Sequence, residues 1–264
     1  MNHARFTVES GRLAGLTVHW AWPDCAPPAS GWPLSVVLDE KQYWLAVGAQ
    51  RQANASSIDP AATGVVVGLG EHTPTWRQRF YTPLLDTRWQ TTAPQPVGTG
   101  MAAQLQQCLS DIVLPRLHQS VPLDKQRFTL AGHSLAALFV LQALLQGNFG
   151  FNRYLLSSPS VWWANFYPLE LARYEGCPPS GLGRPDIYIS VGEHEQGLTP
   201  ADLLLSAAHQ QQNRQRREQR RMVAGAKELA AILQRRNLGE VHFTVVPDAD
   251  HGSASAFAWQ RLFV

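Results

Sequence analysis

A serine, a histidine and a carboxylate, each just beyond an apolar run, are the residues of this chain best placed by type and spacing for nucleophilic chemistry. The serine lies in Phe128–Leu145, which reads as a short strand, a tight turn over Gly132-His133-Ser134-Leu135-Ala136, and an apolar helix without internal Gly or Pro. Such a turn projects Ser134 Oγ out of the backbone, and the N-terminus of the following helix favours negative charge developing there. Gly132 fits the G-x-S-x-G pattern and Ala136 departs from its last glycine. A serine in an ordinary strand-to-helix connection looks the same, so partners decide between the two. A nucleophilic serine needs a base within hydrogen-bond reach and an acid to orient that base. Glu193-His194-Glu195 follows Val191-Gly192, and Asp248-Ala249-Asp250-His251-Gly252 follows Val246-Pro247. His251 is the expected base. Glu195 is preferred as the acid, with Glu193 open as the alternative and a solvated loop carboxylate the plain reading of either. Two backbone donors are needed for an oxyanion. One is expected at Leu135 N–H, directly after the nucleophile, and the other in the loop after Asp39, near Glu40 or Lys41.

These residues need a frame. At 264 residues and 45% hydrophobic content, the chain suits one large core, and residues 1–264 are read as a single α/β domain. Strands are expected over Leu16–Trp22, Pro33–Asp39, Gly64–Gly70, Tyr154–Ser160, Asp186–Gly192 and Val241–Pro247. Helices are expected over Lys41–Gln50, over Met101–Val113 until Pro115 bends or ends it, over Met222–Arg236 and over Ser253–Phe263. Glu71, His72, Trp76, Arg77, Arg79 and Tyr81 fall in what reads as a loop, and Gln90–Gly100 as a mobile surface rim. Strands separated by helical stretches indicate a mostly parallel sheet covered on both faces, with function at the carboxyl ends of its strands. The order Ser134, then glutamate, then His251 is the one expected of the α/β-hydrolase fold.

A formal net charge of +2 gives no global attraction to nucleic acid or an anionic membrane. The basic run Arg214–Arg221 leads into Met222, Ala226, Leu229 and Leu233 at helical spacing, so it reads as the polar start of a surface helix rather than a nucleic-acid site. The N-terminus has no basic segment followed by an apolar run, and Leu135–Leu145 is too short to cross a bilayer, from which a soluble, cytoplasmic protein is expected. Cys25, Cys108 and Cys177 are odd in number and widely spaced, which speaks against a disulfide framework or a zinc site.

Pro33–Asp39, Tyr81-Thr82-Pro83, Gly132–Leu135, Ser157-Ser158-Pro159-Ser160-Val161-Trp162-Trp163, Ile187–Glu193 and Asp250-His251-Gly252 together resemble the putative-esterase branch of the α/β-hydrolases, and within it the enterobactin-type ferric-siderophore esterases. The resemblance covers most of the chain. It implies hydrolysis of ester bonds in cyclic tri-serine catecholate siderophores, with Ser134 as nucleophile, His251 as base, and Arg77 or Arg79 lining the pocket. Tyr81, in the Tyr-Thr-Pro run, is grouped with these as a substrate-binding residue. Trp162 and Trp163 are candidates for a wall against catechol rings, although paired tryptophans also serve as core. No metal or cofactor is required; iron arrives with the substrate. Ala136 and Ala137 replace the two glycines usual after Ser-Leu, Phe80 replaces an Asp before Tyr-Thr-Pro, and Glu40 replaces a Gly after Leu-Asp. Two other readings stay open: a carboxylester or thioester hydrolase for other small acyl substrates, and a catalytically silent protein of this fold that binds a ligand.

Overall fold

The strands are β1 (Asn2–Thr7), β2 (Thr17–Trp22), β3 (Trp32–Leu38), β4 (Val65–Leu69), β5 (Leu123–His133), β6 (Arg153–Ser157), β7 (Asp186–Gly192) and β8 (Glu240–Val246), with Val, Leu and Ile concentrated in β3, β4, β6 and β7. They pair in the order β1-β2-β4-β3-β5-β6-β7-β8, antiparallel from β1 through β2 to β4 and parallel from β4 to β8. The structure, a computed structural model, describes residues 1–9, 11–56, 63–86, 96–147, 150–176 and 183–263. Most of the expected rim, at 90–95, and Cys177 with its loop to 182 lie outside these residues.

Side chains alternate across each central strand, so one strand feeds two cores. Leu34, Val36, Leu38, Leu130, Leu156, Ile187 and Ile189 point into the larger core. That core is closed by helices α3 (Ala102–Cys108), α4 (Leu114–Ser120), α5 (Leu135–Gln146) and α8 (Met222–Arg235). Val37, Val66, Ala131 and Leu155 point the other way, under α1 (Glu40–Ser56) and α9 (Ala254–Gln260). Trp259 Nε1 on α9 donates to Gln42 Oε1 on α1 at 2.8 Å, locking the two covering helices together.

Several elements differ from expectation. The N-terminal residues form β1, an edge strand whose mixed burial left no clear apolar period. The expected loop after Gly70 contains α2 (Pro74–Phe80), started by Pro74 in its first turn and by Thr73 Oγ1 accepting from Trp76 N–H. Pro115 does not end its helix. A π turn over Leu109–Val113 places Pro115 in the first turn of α4, where its missing N–H costs least. A further helix, α6 (Trp163–Tyr174), carries a left-handed run over Ala164–Phe166.

The basic run is not continuous with the helix after it. Arg214–Arg220 belongs to α7 (Ala207–Arg220), which ends where Arg221 turns left-handed at φ 48°, and α8 begins at Met222. No residue of α7 is buried, so polar contacts hold it. They converge on Asp202, whose carboxylate is bonded by Thr199 N and Oγ1, each at 2.7 Å, by Asn213 Nδ2 at 2.7 Å and by Arg217. These contacts, led by the Thr199 hydroxyl, hold the Asp202 carboxyl down to about 2.

The turn after β5 is tight enough to read as a space constraint. A Cβ on Gly132 would lie 2.5 Å from Ala136 O and 2.6 Å from Ala136 C, both backbone atoms that cannot swing aside. Gly132→Ala is therefore expected to destabilise by ~1–3 kcal/mol, the usual cost of overpacking, which outweighs the ~0.4–1 kcal/mol gained by restricting the unfolded chain. Thermal melting checks this: the variant should melt several degrees below the parent. Asp202 supports a second expectation. Its carboxyl titrates lower folded than unfolded, so its stabilisation is present above the ordinary carboxylate value and lost as pH falls toward 2. Amide protection over Ala207–Arg220, corrected for the pH dependence of intrinsic exchange, should fall across that window ahead of α5, and Asp202→Asn should show the lower protection already at neutral pH.

Candidate active site

Ser134 sits at the β5–α5 junction with φ 62° and ψ −119°, outside the regions open to ordinary residues, and it is nearly buried. Its backbone is clamped on both sides: Ser134 N–H donates to Ser157 O at 2.9 Å, and Ser134 O accepts from Ala137 N–H and Ser160 N–H. Such strain persists only where surrounding bonds over-determine it. Ala136, where the chain leaves the usual glycine, is fully buried in the first turn of α5. The turn closes because Gly132 gives up its side chain to the Ala136 carbonyl.

His251 lies in the turn between β8 and α9. The turn is shaped by Asp250, whose Oδ1 accepts from Gly252 N, Ser253 N and Ser253 Oγ at 3.0, 2.9 and 2.8 Å; the Ser253 bonds lead in holding that carboxyl below its ordinary range. His251 Nε2 is 3.0 Å from Ser134 Oγ, and Nδ1 is 2.6 Å from Glu195 Oε2. Glu195 ends a single 3₁₀ turn after β7, with its side chain only 1% exposed. Its other oxygen, Oε1, accepts from Gly192 N–H at 2.7 Å and Ser158 Oγ at 2.5 Å. Serine hydroxyl, imidazole and carboxylate thus form one hydrogen-bonded chain across residues far apart in sequence. That chain can take a proton from Ser134 Oγ onto Nε2 while the carboxylate steadies the charge formed on the ring.

Glu193 does not share in this chain. Its Oε2 accepts from Asp248 N–H at 3.0 Å, and His194 N–H donates to Ala249 O at 2.9 Å, so the β7 and β8 loops are stitched together. Gly192 makes the stitching possible, since a Cβ there would lie 2.5 Å from Ala249 O. His133 packs beside His251, ring centroids 4.7 Å apart, with Nδ1 3.1 Å from Ser157 Oγ. Burial, reinforced by the neighbouring His251, Arg77 and Lys41, holds it well below the ordinary histidine value, so it stays uncharged against His251.

The oxyanion donors are unequal. Leu135 N–H, at the first position of α5, has no acceptor within its own helix. Lys41 N–H donates to Asp39 Oδ1 at 3.1 Å and Glu40 N–H to Gly70 O at 2.9 Å, so either reaches an oxyanion only by releasing or sharing that bond.

Several expected pocket residues do other work. Arg77 Nε lies 2.8 Å from Asp39 Oδ2, a charge contact out of hydrogen-bond alignment, and Arg77 Nη2 donates to His133 O at 3.2 Å. Asp39 is fully buried at φ 86°, with His72 Nδ1 at 2.6 Å from Oδ1. Burial raises its carboxyl despite the opposing Arg77 and His72. Arg77 is thus a brace between the ends of β3 and β5 rather than a ligand-facing cation. Arg79 lies with its guanidinium 5.3 Å from the Phe80 ring centroid and does not line the cleft at Ser134. Tyr81 is fully buried with its hydroxyl donating to Leu69 O at 3.2 Å, so it cannot meet a ligand. Trp163 is 5% exposed and packs on Tyr167, Leu85 and Leu138. Of the tryptophan pair, Trp162 alone lines the cleft.

That cleft, about 310 Å³, is lined also by Arg216, Arg217, Arg220 and Met222. The Arg220 guanidinium lies 4.4 Å from the Trp162 ring centroid, and burial followed by the nearby Arg216 charge lowers its proton affinity. Arg217 is spent on Asp202 and Gly197 O. The cationic wall comes from the run that reads in sequence as a solvated helix start. Spacing gave one overlooked signal: Arg216 and Arg220 are four apart and share a helix face.

Among the described residues no helix is long and apolar enough to cross a membrane. The aligned part of the ferri-bacillibactin esterase BesA of Bacillus subtilis is 29% identical over 189 residues, spanning 66% of this chain and 64% of that protein. The siderophore triacetylfusarinine C esterase of Aspergillus fumigatus is 28% identical over 93% of this chain and 89% of its own. The solved siderophore hydrolase EstA of Aspergillus nidulans superposes with a TM-score of 0.81 at 23% identity, covering 99% of this chain and 93% of that one, which shows the α/β-hydrolase fold. The sequence profile described as "Putative esterase" matches residues 17–229, most of the chain, and the protein belongs to that family.

Proposed function

We propose that this protein is a serine esterase acting on a ferric siderophore, with Ser134 as nucleophile, His251 as general base and Glu195 as the acid that orients it. The single observation that carries this is the unbroken path Ser134 Oγ–His251 Nε2, His251 Nδ1–Glu195 Oε2, at 3.0 and 2.6 Å, opening into the cleft. Membership of an esterase family and similarity to relatives named for siderophore esters support the substrate class.

The reaction follows from the geometry. His251 Nε2 takes the Ser134 proton as Oγ attacks the ester carbonyl carbon, and the resulting oxyanion meets Leu135 N–H at the N-terminus of α5. Collapse breaks the ester C–O bond, the alcohol leaves with the proton held on His251, and an acyl group remains on Ser134. Water, deprotonated by the same imidazole, then releases the acid and restores the serine.

A catecholate ligand is favoured by the wall of the cleft. Three catecholates around ferric iron make a trianion, which Arg216 and Arg220 can attract, and Trp162 offers an aromatic face beside them. A tris-hydroxamate complex is neutral and gains little from those arginines.

Ser134→Ala should lower kcat/KM on ferric catecholate trilactones by roughly three orders of magnitude or more while the fold is kept, and a fluorophosphonate should label the parent at Ser134. Undiminished turnover by the variant, or labelling elsewhere, is incompatible with the mechanism. For the substrate, Arg216→Ala and Arg220→Ala should each raise KM for a ferric tris-catecholate ester about tenfold, the loss expected for one charged contact, and leave a neutral tris-hydroxamate ester nearly unaffected. Steady-state kinetics on both substrates reads this directly. Equal effects on the two would count against the catecholate assignment alone.

A further inference from the structure

The Ser157-Ser158-Pro159-Ser160 turn after β6 has no role in the mechanism above, yet its three hydroxyls meet three different groups at the centre. Ser157 Oγ is 3.1 Å from His133 Nδ1, Ser158 Oγ donates to Glu195 Oε1 at 2.5 Å, and Ser160 Oγ is 3.2 Å from Ser134 Oγ. All three serines are almost wholly buried. Ser158 is the unusual one. It sits at φ 45°, where glycine or asparagine is the less strained choice, and its N–H is held by Ser190 O at 2.7 Å. A serine kept in a glycine conformation, at full burial, needs a reason in its side chain.

The reason lies in how a carboxylate is aimed. The terminal torsion of glutamate has a broad, shallow profile, so the carboxylate plane is set by its hydrogen-bond partners. Glu195 Oε1 takes two donors, Gly192 N–H and Ser158 O–H, from the ends of neighbouring strands, which leaves Oε2 turned to His251 Nδ1. With Gly192 alone, the plane can rotate about that one bond. The hydroxyl of Ser158 removes this freedom.

We propose that Ser158 is a positioning residue: its hydroxyl holds the Glu195 carboxylate so that Oε2 faces His251 Nδ1 and Nε2 stays aimed at Ser134. It acts through Glu195 and touches neither substrate nor reacting atoms, and the inference rests on the serine-esterase reading above.

Two variants test it beside Ser134→Ala. Ser158→Gly removes the hydroxyl and accepts the positive φ without strain, so it should fold and melt below the parent by no more than the lost bond contributes; Ser158→Ala removes the hydroxyl and keeps the strain. Both should lower kcat by about tenfold to a hundredfold, the range for losing one hydrogen bond to a charged group, with KM unchanged. The acid limb of the kcat/KM profile should move to lower pH, because an imidazolium facing a misaligned carboxylate gives up its proton more readily. Parent-like kcat and pH profile in Ser158→Gly overturn the proposal, as does a lower kcat with an unmoved acid limb, which is what a purely structural serine would give. Activity in Ser134→Ala overturns the esterase reading itself, so the two failures are separable.

Discussion

A carboxylate buried away from water is tolerable only when its charge is met on every side, and Glu195 imposes that condition on this fold. Its donors come from three places: Ser158 after β6, Gly192 at the end of β7 and His251 after β8. Satisfying one side chain therefore draws three strand ends together. His251 extends the connection to Ser134 at the end of β5, so four neighbouring strands of the parallel sheet are tied at their carboxyl ends. Parallel strands leave those ends in register on one edge, and here every connection is used.

A second buried carboxylate does related work on the other side of Ser134. Asp39 directly follows β3, next to β5 in the sheet, and its pairing with Arg77 and His72 brings α2 against the elbow. Arg77 also bonds the carbonyl of His133, the residue before Ser134. The strained backbone of Ser134 is thus held from β3 through Arg77 and from β6 through Ser157 O. The cost of burying Asp39 shows in its raised carboxyl, which one arginine and one half-exposed histidine only partly offset.

The arginines illustrate how charge is divided by position. Arg77 and Arg217 are committed to buried aspartates, and Arg216 and Arg220 remain to face the cleft. No residue of the helix carrying the latter pair is buried, and it is held by the polar contacts at Asp202 and by Arg220 against the Trp162 ring rather than by the hydrophobic core. The hydrogen-bonded chain of Ser134, His251 and Glu195, by contrast, stands on strand ends anchored in the larger core.

The sequence by itself determined the parts that are local. An apolar run, Gly132, Ser134 and an unbroken helix specify the elbow, because strand period, turn space and helix continuity are all read within a few residues. The order of serine, glutamates and histidine after successive strands followed in the same way. Only the tertiary structure decided which of Glu193 and Glu195 meets His251, since both leave the same short turn and differ in which loop their carboxylates reach. It also put Arg216 and Arg220, rather than Arg77 and Arg79, on the wall of the cleft at Ser134, buried Tyr81 and Trp163, and placed the Ser158 hydroxyl on Glu195. Each of these depends on a partner brought near by sheet pairing across tens of residues, and no spacing along the chain records which side chain arrives there.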